Sequence, residues 1–368
     1  MRSSRHPRRS TTRISEASTA VQSRARRYSR LLRIPGQDLP EQKTIYTQLS
    51  HLSSLPGNTH KRPAEQNMST TTTVTASAPA PAPAPAPAQL GSALDSGREG
   101  SGKVKRLHQI PVPETKEAAR QWQLEQMAAA FRIFAKLGFS DGSSGHISLR
   151  DPVRPDTFWI NPYGVHFGVL KVSDMVHIDE DGNRIGGADK PVNTAGFTIH
   201  SVLHKRRPDI NAACHMHSPY GRAWSTFGRP IEMLNQDSCM FYNDLSVYAG
   251  FGGVVLAKEE GEHIAEALGP TNKNVILQNH GLLTAGGTVA EAAAYFIALE
   301  RACQTQLLVE QAAAPGTNGA AAGLRKTIVG HEEAQYTKDG TGTPEVMYMQ
   351  FVPEYQMILK ESGGDFLL

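Results

Sequence analysis

Cysteine is scarce: Cys214, Cys239 and Cys303 are the only three in 368 residues, and no CxxC pair occurs. An odd count at wide spacing excludes a disulfide framework and a cysteine-based zinc knuckle, and implies reduced, intracellular thiols. Long apolar runs are also missing. None approaches the ~20 residues that a membrane-spanning helix needs, so no transmembrane span is expected. Lysine is absent from residues 1–34, yet that stretch carries ten arginines against the single acid Glu16, a local charge of +9. The whole chain is +3, which leaves the remainder at −6. A mildly acidic body under a basic arm does not suit a nucleic-acid-binding domain.

Periodic apolar spacing is lacking through residues 1–105. This region is Ser/Thr/Arg-rich and then alternates Ala and Pro from Ala78 to Ala88, a pattern that removes helix donors and favours extended polyproline II. It is expected to be disordered. Its Arg- and Ser-rich, nearly acid-free start resembles a mitochondrial transit peptide, and Met68 offers an alternative start. The body is expected in the cytoplasm, or in mitochondria if 1–34 is a genuine transit segment.

Order is expected from 106. Leu124, Met127, Ala128, Phe131, Phe134 and Leu137 fall on one helical face before Gly138. Short strands are expected at 146–150, 157–161 and 176–179, with a turn at Asp181-Gly182-Asn183. A helix capped by Asn193 or Thr194 should run to about Lys205, followed by a strand at 210–217 and a helix after Ser218-Pro219. Further expectations are a helix at about 259–268, a strand at 274–278, and a long helix to about Gln311 opened by the capping box Thr288-Val289-Ala290-Glu291. An Ala/Gly-rich linker at 312–330 and a C-terminal tail at 331–368 close the chain, the tail with a helix around 352–360 whose apolar residues need a partner surface. Without clean βαβ alternation, the mixture favours an α/β sandwich with a mixed sheet over a doubly wound parallel fold.

His215 and His217 sit two apart on a strand, where alternate residues share a face, so the two imidazoles project together. His280, between Asn279 and Gly281, reaches from the end of another strand. Three imidazoles suit Zn, Fe(II), Mn or Co, with coordination positions left for substrate. With 14 histidines in the chain the spacing alone is not decisive, and His200 and His204, at i and i+4 on a helix, form a competing pair. That pair reads as a packed, hydrogen-bonded one.

The surrounding strings are more specific. NTAGFTIH (193–200), RPDINAACHMH (207–217) and QNHGLL (278–283), with GSSGHISLR (142–150), NPYG (161–164), SDMVHID (173–179) and LERACQ (299–304), resemble the class II aldolase/adducin N-terminal domain over roughly 115–311. The resemblance implies an α/β/α sandwich with a central mixed, largely antiparallel sheet, often in a cyclic homotetramer. It also implies a divalent metal, zinc or else Fe2+ or Mn2+, on His215, His217 and His280. The sugar-phosphate aldolases of the family carry a glutamate at the slot of Gly196, an asparagine at that of His146 and a threonine at that of Tyr163. The aldolase base and much of the phosphate cradle are therefore missing. Gly145, His146, Tyr163, Gly164 and Thr194 remain the substrate-binding candidates. Asp237, Tyr242 and Asp244, with Tyr248 nearby, are the candidates to replace the base.

Three functions follow as expectations. The first is a metal-dependent C–C bond enzyme, a lyase or decarboxylase acting on a small oxygenated substrate, in which the ion polarises a carbonyl and stabilises an enediolate. The second is a three-His Fe(II) oxygenase of secondary metabolism. The third is a non-enzymatic adducin-like protein linked to actin and the membrane skeleton, against which stand the intact three-His set and the lack of a Lys-rich block before Leu368.

Overall fold

The computed structural model describes residues 109–253, 258–316 and 323–368. The expectations for 1–105, and for the middle of the linker at 312–330, lie outside the described residues.

Helix α1 spans Lys116–Lys136, with the Thr115 side chain capping the Ala118 N–H and Gly138 just past its end. A meander follows: β1 His146–Arg150, β2 Phe158–Ile160, β3 Val176–Ile178 and β4 Arg184–Gly187. Helix α2, Thr194–Arg206, is capped by Asn193, whose side chain accepts from the Gly196 N–H. Then come β5 Ala212–Met216, the short helix α3 Pro219–Ser225, α4 Gln236–Cys239, β6 Leu245–Tyr248, α5 Lys258–Leu268, β7 Asn274–Leu277, β8 Gly281–Gly286 and the long helix α6 Val289–Ala313.

The strands form one eight-stranded sheet in the order β4-β3-β2-β1-β5-β8-β7-β6. Every neighbouring pair is antiparallel except β6 with β7. This is the expected mixed, largely antiparallel α/β/α sandwich. On one face, Ile147, Leu149, Cys214, Met216 and Leu282 pack under α1 and α6. On the other, Ala213, Val275, Leu277, Leu283 and Ala285 meet Ile199, Val202 and Leu203 of α2 and Ile264, Ala265 and Leu268 of α5. Alternation along each strand thus sends odd and even residues into different layers.

The C-terminal segment differs from its expected form. Instead of a tail with one short helix it contains α7 His331–Thr341 and α8 Pro344–Ser362. Met347, Phe351 and Val352 of α8 and the following Phe366 are buried in the same core as α1 and α6, and Met349 packs against it. The partner surface these apolar residues need is their own chain, so they are no argument for a neighbouring subunit. The capping box of α6 is half formed. Thr288 accepts from the Glu291 N–H, while the Glu291 carboxylate turns to the Gly287 N–H and to Lys273. No helix among the described residues is long and apolar enough to cross a membrane.

Candidate metal centre

His215 is the last-but-one residue of β5, and His217 lies one residue beyond the strand. The neighbouring β7–β8 hairpin delivers His280. Its turn is held by three main-chain bonds, from the N–H groups of Gln278, Asn279 and His280 to the carbonyls of Tyr248, Ser225 and Leu277. Asn279 adopts the left-handed conformation at φ 57°, which short polar residues tolerate best among non-glycines. Gly281 lies against the next strand so closely that a Cβ there would stand 2.9 Å from the Met216 carbonyl oxygen. These two residues bring the hairpin tip onto the end of β5.

One ring nitrogen from each of His215, His217 and His280 falls within 4.8 Å of the others. The ring centroids are separated by 5.3, 4.7 and 4.9 Å. His215 Nδ1 lies 2.8 Å from the Leu282 carbonyl oxygen, which can only accept, so Nδ1 carries the proton and Nε2 keeps a lone pair for a ligand. Burial, then His280 and two other imidazoles, hold the His215 pKa well below the ordinary value. Burial and then His217 lower His280 to about 4. His217 is lowered by burial and the Arg222 guanidinium, against a smaller pull from Asp141. All three are therefore neutral at pH 7, the state in which an imidazole binds a metal. Donor type, spacing and protonation all fit a divalent ion.

The three histidines line a cavity of about 620 Å³. Of the expected substrate-binding residues, Gly145, His146 and Tyr163 line it. Gly164 and Thr194 do not, although Asn193, Ala195 and Gly196, on either side of Thr194, do. The sequence reading missed Arg222 and Phe251, which also line the cavity. Arg222 had a usable signal, since a helix starting at Pro219 sets it about one turn beyond His217. Its guanidinium pairs with Asp141 at 2.6 Å.

The acid–base candidates are corrected: in their own chain none of them reaches the cavity. β6 and β7 run parallel with Leu245 beside Asn274. Asp244 therefore sits at the start of β7, while the histidine hairpin lies at its far end, about 13 Å away at ~3.3 Å per residue. Its carboxylate is occupied by the Lys273 N–H at 2.6 Å and by the Lys338 ammonium. Tyr242 packs edge-on against His331, and Asp237 lines a separate small cavity with Arg301 and Gln350. Tyr248 donates to Glu260 at 2.9 Å. Behind the centre, His200 and His204 both bond Ser148 Oγ at 2.7 Å, as expected for a packed pair.

Residues 125–307 match the family model of the Class II Aldolase and Adducin N-terminal domain. The meiotically up-regulated gene 14 protein of Schizosaccharomyces pombe is 46% identical over 256 residues, 70% of this chain and 96% of that protein. The chain belongs to the class II aldolase/adducin family. Within the family, it is similar to the 4-hydroxy-3-prenylphenylpyruvate oxygenase/4-hydroxy-3-prenylbenzoate synthase of Streptomyces roseochromogenus subsp. oscitans. That match is 40% identical and covers 55% of this chain and 73% of the relative. Among solved structures, the L-fuculose 1-phosphate aldolase of Glaciozyma antarctica PI12 superposes with a TM-score of 0.62 at 39% identity, covering 70% of this chain and 96% of that one.

Proposed function

We propose that the protein is a divalent-metal-dependent carbon–carbon bond enzyme, a lyase or decarboxylase acting on a small oxygenated substrate. The observation that carries this reading is the convergence of three neutral imidazoles on the wall of a cavity, with Gly196 in the slot where the sugar-phosphate aldolases place a carboxylate. When bound, the ion supplies a Lewis acid that polarises a substrate carbonyl. His215, His217 and His280 hold it and leave its charge undiminished, since none is anionic. Tyr163 and Phe251 offer apolar walls to the substrate, and Arg222, paired with Asp141, offers a polar rim. Among the described residues no aspartate or glutamate lines the cavity, so phosphorylated aldol substrates should be turned over poorly.

Zinc is the proposed ion, with Fe(II) as the second reading. An oxygenase is supported by the all-nitrogen donor set, which suits Fe(II), and by the name of the Streptomyces relative. Metal analysis of protein purified without added metal separates the two. We expect one divalent ion per chain, lost in His280→Ala and retained in His204→Ala. A wild-type chain without bound ion at pH 7.5, or a His280→Ala chain that binds normally, would move the adducin-like reading to first place. Assembly as a homotetramer is part of the same proposal. A monomer mass by light scattering at micromolar concentration would refute that part alone.

A further inference from the structure

β1 and α2 face each other along one line of residues. His146 and Ser148 share a face of β1, at the strand period of two, and Gly196, His200 and His204 share a face of α2, at the helix period of four. His146 is also the register partner of His215, so the two imidazoles start from opposite positions on neighbouring strands, with ring centroids 5.3 Å apart.

The protons along this line can be assigned. His204 Nδ1 lies 3.0 Å from the Ile210 carbonyl oxygen, so Nδ1 carries the hydrogen and Nε2 is an acceptor. The Ser148 hydroxyl must therefore donate to His204 Nε2, and its oxygen accepts from His200 Nδ1. This leaves His200 Nε2 as a bare lone pair, buried and without a hydrogen-bond partner. Its ring lies 4.2 Å from that of His146. Both nitrogens of His146 are likewise buried and meet no partner at full hydrogen-bond geometry, although the Gly196 backbone lies near enough to act on the ring. Leaving such groups unpaired is costly. Of the two histidines only His146 lines the cavity, so a ligand held there can supply the partner its ring lacks.

Two further observations say what that is. A Cβ on residue 196 would stand 2.5 Å from His146 Cε1 and 2.7 Å from Nδ1, so the imidazole can sit there only because residue 196 is glycine. Among the described residues no aspartate or glutamate lines the cavity; Arg222, the one formally charged side chain in that lining, is paired with Asp141, and Glu260 acts on His280 from outside it. A divalent ion on three neutral imidazoles makes that space cationic. An anion with two adjacent oxygen donors satisfies both the charge and the open coordination positions.

We propose that His146, seated in the room left by Gly196, donates a hydrogen bond to a carboxylate oxygen of a 2-oxo- or 2-hydroxycarboxylate held at the three-His centre. The inference rests on the metal reading above and adds the substrate class and the residue pair that selects it. Gly196 and His146 then act as one unit, so substituting either removes the same contact.

The test uses the full chain loaded with Co(II), with pyruvate and inorganic phosphate titrated against the visible absorption of the ion. His146→Asn and Gly196→Ala should bind Co(II) as wild type does. Each should weaken pyruvate about tenfold, the weight of one hydrogen bond to a charged group. The double variant should be no weaker than either single one. Pyruvate binding unchanged in both single variants, losses that add in the double variant, or phosphate bound as tightly as pyruvate by the wild type would each overturn the inference. A wild-type chain that takes Co(II) but not pyruvate overturns it alone. One that takes no Co(II) removes the metal reading as well.

Discussion

His204 shows how a residue can matter to the site without touching it. It is fully buried, and burial followed by the Arg150 guanidinium lowers its pKa from 6.5 to about 3. Between those values the unfolded chain binds a proton that the folded chain refuses, so stability is complete above pH 6.5 and falls as the pH drops towards 3. The slope from this one residue is about 1.4 kcal/mol per pH unit. In His204→Gln, unfolding free energies measured in urea between pH 4 and 6 should show a pH slope smaller by about that amount. Glu300 is a second such residue. Only 2% exposed, its carboxylate accepts from the Ser218 hydroxyl at 2.5 Å and from the Tyr220 and Gly221 N–H groups at 2.7 and 2.6 Å. It thereby anchors the start of α3, directly after the HxH pair. Glu300→Ala leaves three donors unpaired, two of them buried, and should cost about 3 kcal/mol in a urea melt.

At the scale of elements, the β7–β8 hairpin is the part on which the centre depends. Gly281→Ala would press a methyl group onto the Met216 carbonyl, 2.9 Å away, and push the hairpin off β5. Metal affinity should fall about tenfold or more by chelator competition, the loss typical of displaced support around a site. An unchanged affinity would show that the hairpin tip is free to adjust. Elements with strong local signals were legible in the sequence: α1 from its apolar face, α2 from Asn193, and α6 from Thr288. β4, β6 and β8 were not. β8 reads GLLTAG, a string with neither alternation nor turn chemistry, because it is buried throughout its length. β4 reads RIGG and pairs with β3 through a register shift. β6 is a four-residue strand, and its parallel pairing with β7 sets Asp244, just before it, at the end of β7 away from the histidines.

On the scale of the molecule, α8 closes the core over α1 and α6. Val346, Met347, Phe351, Val352, Ile358 and Phe366 are all buried there. At about 1.5–3 kcal/mol per buried large apolar side chain, their loss approaches the whole stability of a domain. A chain ending at Gly330 should therefore show no cooperative melting transition by calorimetry. A sharp transition near that of the full chain would mean that the sandwich stands without this segment. From the sequence alone came the family motifs, the three metal-ligand candidates, the empty carboxylate slot at Gly196 and the α/β/α sandwich, because each is written in local spacing or in a contiguous string. The tertiary structure alone decided that His146 fills the space above Gly196, that Asp237, Tyr242 and Asp244 lie outside the cavity of their own chain, and that the C-terminal segment belongs to the core. Each of these is a contact between residues far apart in the chain, set by strand register and helix packing, and no periodicity within a single segment records it.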